Sequence, residues 1–274
     1  MRLLRPASKR AALFAIPIVG ALSLCGLLPN PIHGYGTAVA ATVSASESAS
    51  VKKDPPMHVL APQQIENPGY PNALYYKPRS GKSMKPVIVY LHGRGSIPEE
   101  GCRAWAKVAT EFGWLLCVAG QEDKGGGGRA WANDPIGSQK NVMGALLALR
   151  KKYGRRVQLY GNVMMGFSEG AFVAQYIAAR DPKTFNRWLI VASCDWYFGD
   201  KSILKENKKK IKRVYLWTGE MDGAAVPSQK TFELLKGEGI QVKLNEPKGY
   251  WHAIPAKTMV QNFRKALRWL VSAK

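Results

Sequence analysis

Val163-Met164-Met165-Gly166-Phe167-Ser168-Glu169-Gly170-Ala171 is the stretch that decides the fold of this chain. An apolar segment runs into Gly-x-Ser-x-Gly, and a helix-forming sequence opens directly after it. A serine on so sharp a strand-to-helix turn takes strained backbone angles. The flanking glycines let strand and helix approach closely, and Ala171 and Ala174 keep that contact small. The hydroxyl then stands at a helix N-terminus, where free N–H groups and the dipole favour developing negative charge. Alone the pattern is weak, since average composition yields it by chance in roughly one chain in ten of this length. An ordinary N-cap serine is the plain alternative. The setting between strand and helix favours a nucleophile.

The surrounding sequence alternates strands and helices. Pro86 to Leu91 is a continuous apolar, β-branched run, which suits a strand buried on both faces. Trp114–Ala119, Asn162–Gly166, Trp188–Ala192, Arg213–Trp217 and Ile240–Leu244 read as further strands. Helices are predicted near Glu100–Phe112, Ser138–Tyr153, Ala171–Arg180, Gln229–Lys236 and Lys257–Val271. Such alternation predicts an α/β fold, a mostly parallel central sheet with helices on both faces. Ligands of such sheets bind at the carboxyl ends of the strands. The largely polar segment between Ala192 and Arg213 is too short for a cap domain, so an open site is expected.

A serine hydroxyl needs a base, and the chain has 4 histidines. His33 lies in the leader, His58 at the domain edge and His92 directly after a buried strand. His252 sits between the last strand and the last helix, and by elimination it is the candidate base. Such a mechanism loses rate in acid as the imidazole protonates. Asp222, just beyond the 213–217 strand, is the candidate carboxylate that orients the ring. Asp195 is the runner-up and Glu220 a weaker third.

The order Ser168, Asp222, His252 resembles that of the α/β-hydrolase superfamily across nearly the whole of residues 57–274. Within it the chain looks most like compact carboxylesterase/phospholipase and dienelactone-hydrolase-like members. Leu91-His92-Gly93-Arg94-Gly95 resembles the family's His-Gly motif. The resemblance implies a structural role for His92 and an oxyanion hole from the backbone N–H groups of Arg94 and Glu169, with Gly95 as an alternative to Arg94. It implies hydrolysis of carboxylic esters through a Ser-His-Asp triad and an acyl-enzyme. A serine peptidase or polyester depolymerase on the same fold, or a non-catalytic envelope-binding protein, is the alternative. The sequence departs from the family pattern at Glu169, whose carboxylate opposes an anionic intermediate unless it turns away or is paired. Val157 to Asn162, ahead of the elbow, suggests a longer or bulged strand.

Composition bounds the rest. With 274 residues, 46% hydrophobic and 22% charged, the chain is globular in type, neither disordered nor a membrane bundle. Residues 1–40 read as a signal peptide. Arg2, Arg5, Lys9 and Arg10 precede the apolar stretch Ala11–Leu28, and Ala38-Val39-Ala40 gives a small-x-small cleavage pattern. Retention of the apolar stretch as a membrane anchor is one rival reading, and lipidation of Cys25 is another. Residues 41–56 read as a disordered linker, and residues 57–274 as one catalytic domain. Removing the leader takes away four basic and no acidic side chains, so the charge falls from +21 to +17. Three cysteines remain, so at most one internal disulfide fits, and Cys117 in its apolar run reads as a buried inert thiol.

Two basic runs stand out, 150–156 and 205–213. A solvated cationic face is the plain reading, and an anionic envelope surface is the functional one. Nucleic acid is not an expected partner, because no recognition motif is present. No G-x-G-x-x-G and no metal-spaced Cys/His cluster occurs, so neither cofactor nor metal is expected. The expected partner is a small-molecule or lipid-like ester. Trp131, Trp196, Tyr197, Tyr250 and Trp251 form a candidate aromatic wall for it, with ordinary packing as the alternative. Gly125 to Gly128 reads as a plain flexible connection, with a mobile loop bordering the pocket as the functional alternative.

Overall fold

A computed structural model describes residues 61–193 and 201–272. Ten strands and six helices are described: β1 (Gln63–Ile65), β2 (Ala73–Tyr76), β3 (Val87–Leu91), α1 (Pro98–Ala109), β4 (Trp114–Val118), β5 (Glu122–Gly125), β6 (Gly128–Ala130), α2 (Pro135–Tyr153), β7 (Val163–Phe167), α3 (Glu169–Arg180), β8 (Arg187–Val191), α4 (Lys201–Asn207), β9 (Arg213–Trp217), α5 (Ala225–Gly237), β10 (Gln241–Asn245) and α6 (Met259–Val271). The leader, the linker, His33, His58, Cys194, Asp195, Trp196 and Tyr197 lie outside the described residues.

Eight strands form one sheet in the order β1-β2-β4-β3-β7-β8-β9-β10. The pairs β1–β2 and β2–β4 are antiparallel, and all other pairs are parallel. Every residue of β3 and β4 is buried, and the two faces divide by parity. Val87, Val89 and Leu91 pack under α2 and α3, while Ile88 and Tyr90 pack under α1 and α6. On the second face Met259, Phe263, Leu267 and Leu270 give α6 one apolar stripe, and Phe263 meets Trp105 at 4.6 Å between ring centroids. Each such fully buried side chain contributes about 1.5–3 kcal/mol.

The winding of the chain places the site. Helix α1 carries the chain from β3 to β4 along one face, and α2 then carries it to β7 along the other. β4 and β7 therefore flank β3, and the order reverses between β3 and β7. A crevice opens at the carboxyl ends of strands where the order reverses in this way. His92 to Gly95 follow β3 there, and Ser168 follows β7.

Three expectations are corrected. No long or bulged strand precedes β7. Gly161 turns the chain at φ 70°, and Asn162 Oδ1 accepts the Val87 N–H at 2.9 Å, so pairing in regular register starts at Val163. Gly125 to Gly128 is part of a hairpin and not a connection without secondary structure. It closes β5 onto β6, with Gly126 and Gly127 at φ 58° and 82°. Cys117 is not an inert thiol, because it forms a disulfide with Cys102 and ties α1 to β4. Between β8 and β9 the described residues form only the seven-residue α4 and a three-residue 3-10 turn, so no cap is built there among them.

Candidate active site

Ser168 occupies the turn between β7 and α3 at φ 52° and ψ −122°. A non-glycine residue at positive φ costs about 1–3 kcal/mol and persists only where its surroundings hold it. Its N–H donates to the Val191 carbonyl at 3.0 Å, and its own carbonyl accepts from Ala171 N at 2.8 Å. The flanking glycines are required by contact. A Cβ on Gly166 would lie 2.3 Å from the Gly170 carbonyl oxygen, and one on Gly170 would lie 2.4 Å from those of Leu91 and His92.

His252 and Asp222 meet this serine. Ser168 Oγ lies 2.9 Å from His252 Nε2. His252 Nδ1 lies 3.0 and 2.9 Å from the two Asp222 oxygens. The Asp222 carboxylate is buried, and Oδ1 also accepts the Ala224 N–H at 2.9 Å, which fixes its plane. A carboxylate can only accept, so Nδ1 carries the ring proton and Nε2 presents its lone pair to the hydroxyl. Two backbone bonds hold the loops together, Met221 N to Tyr250 O at 3.0 Å and Glu220 N to Pro247 O at 3.1 Å. The Phe167 ring packs against the imidazole at 5.2 Å. Glu220 turns instead toward Gly249 N, at 3.4 Å, so of the two described carboxylates only Asp222 faces the ring.

Three solved structures share this architecture at low sequence identity. The carboxylesterase of Bacillus cereus matches over 72% of this chain and 92% of its own, at 19% identity and a TM-score of 0.55. Esterase PE8 matches over 73% and 97%, at 20% identity and a TM-score of 0.51. Est1E from Butyrivibrio proteoclasticus matches over 78% and 100%, at 14% identity and a TM-score of 0.55. The chain has the α/β-hydrolase fold. No protein-family model and no curated protein sequence matches it.

In this fold the loop after β3 is held from several sides. His92 is fully buried. Its Nε2 accepts the Gly120 N–H at 2.9 Å, so the ring proton sits on Nδ1 and is donated to the Gly93 carbonyl at 2.8 Å. Burial pushes its pKa down to about 4, so the ring is neutral at ordinary pH. The β5–β6 hairpin clamps the same loop, with Gly95 N donating to Arg129 O at 2.8 Å and Arg129 N to Ser96 O at 3.0 Å. Gly95 is thereby removed as an oxyanion donor. The Arg94 and Glu169 N–H groups donate no loop or cap bond among the described residues.

The Glu169 side chain is buried and paired. Oε1 accepts from Arg94 Nη1 at 2.8 Å and Oε2 from the Trp131 N–H at 3.2 Å. Burial raises its pKa, while the Arg94 charge and the Trp131 N–H hold it down. The carboxylate is thus tied down between those two donors, which answers the objection its sequence position raises.

Trp131 belongs to no aromatic wall. It is 1% exposed, and its indole N–H donates to the His92 carbonyl at 2.8 Å. Tyr250 packs edge-on against Trp217, whereas Trp251 is 62% exposed beside His252. Exposed Ile97, Met221 and Val226 lie on the same rim of the sheet. Sequence reasoning missed the support given by Trp131 and Arg129. Neither carries a local signal, because each acts through contacts distant in the chain.

Proposed function

We propose that this protein is an exported serine hydrolase that cleaves carboxylic esters. The observation that carries the reading is the bonded chain from Ser168 Oγ through both His252 nitrogens to a buried Asp222. Ser168 Oγ attacks the acyl carbon while His252 Nε2 takes its proton. Asp222 accepts from Nδ1–H and stabilises the imidazolium. The Arg94 and Glu169 N–H groups receive the oxyanion, a contribution of about 3–4 kcal/mol per donor in comparable enzymes. Nε2 returns its proton to the departing alcohol, leaving an acyl-enzyme. Water, deprotonated by the same nitrogen, then releases the acid and frees Ser168.

The exposed apolar rim supports an acyl or aryl group as the part of the substrate held outside the reacting centre. The esterase names borne by structural neighbours support the reaction class. The Cys102–Cys117 bridge supports export, because disulfides persist in oxidising compartments.

A panel of aryl and alkyl esters of graded chain length tests the reading. The wild-type chain is expected to turn over esters and Ser168→Ala to lose that turnover. Uniform inactivity on esters together with amide cleavage would overturn the ester assignment, and full turnover by Ser168→Ala would overturn the nucleophile.

A further inference from the structure

Charge and exposed apolar groups meet at the end of the sheet opposite Ser168. Residues that lead into the parallel strands lie at their amino ends. Lys85 precedes β3, Lys183 precedes β8 and Lys212 precedes β9. Helix α2 brings Arg150, Lys151 and Lys152 to the same rim in its last turn. Both basic runs of the sequence therefore converge on one end of the molecule. Basic residues near helix C-termini are favoured by the dipole, which accounts for part of this. It does not account for the loop lysines Lys183 and Lys212, which, like Lys209 in the 3-10 turn after α4, are exposed and have no carboxylate partner among the described residues. Together with Arg180, Lys210 and Asn186 they border a groove of about 660 Å³. Two carboxylates, Asp181 and Glu206, also line it, so cations stand in excess.

Apolar groups stand on the same rim. Met84, Leu159 and Tyr160 are 60%, 55% and 48% exposed, and all three lead into β3 or β7. The Lys85–Val157 bridge joins these two loops. Lys183 Nζ sits 4.1 Å from the Tyr160 ring centroid, so cation and aromatic tip form one unit. The opposite rim also exposes apolar side chains, but there the cations Arg103, Lys124 and Arg129 are ion-paired with Glu99, Glu122 and Asp123, and Glu220 adds a further carboxylate, so those cations are not left in excess as they are here. An exposed aromatic and aliphatic tip ringed by lysines suits the boundary of an anionic bilayer, where rings sit at headgroup depth and lysines meet lipid charge. A soluble polyanion has no use for the tip.

We propose that the amino-end rim of the sheet, with Leu159 and Tyr160 at its centre and Lys183, Lys209 and Lys212 around them, docks on an anionic lipid bilayer. Docked this way, the Ser168 rim faces away from the lipid, and soluble esters reach it from the aqueous side.

Co-sedimentation of the full chain with vesicles tests this. Neutral phosphatidylcholine vesicles are compared with vesicles doped with phosphatidylglycerol, at low and high salt. Where the leader is present, Arg2, Arg5, Lys9 and Arg10 beside the apolar stretch 11–28 also favour anionic lipid, so the rim's share is read as the difference between the wild-type chain and the lysine variant, which keep the same leader. That difference is expected to vanish in high salt. The triple variant Lys183→Gln, Lys209→Gln, Lys212→Gln is expected to lose about a hundredfold in affinity for anionic vesicles, at about fivefold per lysine. Leu159→Ser with Tyr160→Ser weakens binding, whereas Trp251→Ser on the opposite rim leaves it unchanged. Equal binding to neutral and anionic vesicles overturns the proposal. So does a loss caused by Trp251→Ser, or binding to a soluble anionic polysaccharide with none to vesicles.

Discussion

The Arg94 guanidinium lies 2.8 Å from the Glu169 carboxylate, so the two residues whose N–H groups are assigned to the oxyanion are also joined through their side chains. The bond spans the loop after β3 and the first turn of α3. It fixes the separation of the two donors, and a preorganised pair of donors acts on the transition state more than on the substrate. Arg94→Ala and Glu169→Gln are each expected to lower kcat by about tenfold with little change in KM. The double variant should fall little below either single one, because both break the same bond. Steady-state kinetics on one ester reads this as a cycle, and fully additive losses would separate the two residues.

Asp222→Asn keeps the shape of the side chain but supplies an amide N–H that can donate to His252 Nδ1. The ring proton then moves to Nε2, which faces Ser168 with no lone pair to offer. A fall in kcat of about four orders of magnitude is expected, with the fold retained. A loss under tenfold would mean that Asp222 does not set the tautomer.

His92 makes the protein acid-sensitive. Its pKa is about 4 in the folded chain, against about 6.5 for a free imidazole. Between those values the unfolded chain binds the extra proton, so stability falls as pH drops through the window and is constant below it. The loss attributable to this residue is about 3 kcal/mol. Urea unfolding from neutral pH down to pH 4 measures it. His92→Gln should start less stable and vary less steeply with pH. An equally steep dependence in the variant would assign the acid sensitivity to other groups.

The Cys102–Cys117 bridge closes a loop with a sequence separation of 15. Loop-closure entropy assigns it about 3 kcal/mol. Reductant is expected to lower the urea midpoint of the wild-type chain and to leave that of Cys102→Ala with Cys117→Ala unchanged. Identical midpoints with and without reductant in the wild type would show that the bridge adds nothing.

Much of the fold was legible because its strands are continuous apolar runs. Val87 to Leu91 and Trp114 to Val118 are buried on both faces, and only a strand covered by two helical layers needs such a sequence. The short antiparallel strands β1 and β2 were not legible. Ala73 to Tyr76 is four residues long and gains its place only by pairing with β4. The positions of Ser168, His252 and Asp222 could be read from residue type and their place after strands. The sequence could not say where the Glu169 carboxylate goes, because its partners Arg94 and Trp131 come from two other loops. It likewise gave no sign that Gly95 is already bonded to Arg129, which removes it as a donor. The disulfide was hidden for a similar reason, since Cys117 lies in a run that buries any small residue.

Activation of the Ser168 hydroxyl by His252 is read by intact-mass analysis after exposure to a fluorophosphonate, because the reagent needs an activated serine and no substrate pocket. One adduct per chain is expected, on the peptide bearing Ser168. That adduct should be absent from Ser168→Ala and form at least about a hundredfold more slowly in His252→Ala. An unlabelled wild-type chain, or labelling at an undiminished rate in His252→Ala, would contradict that activation.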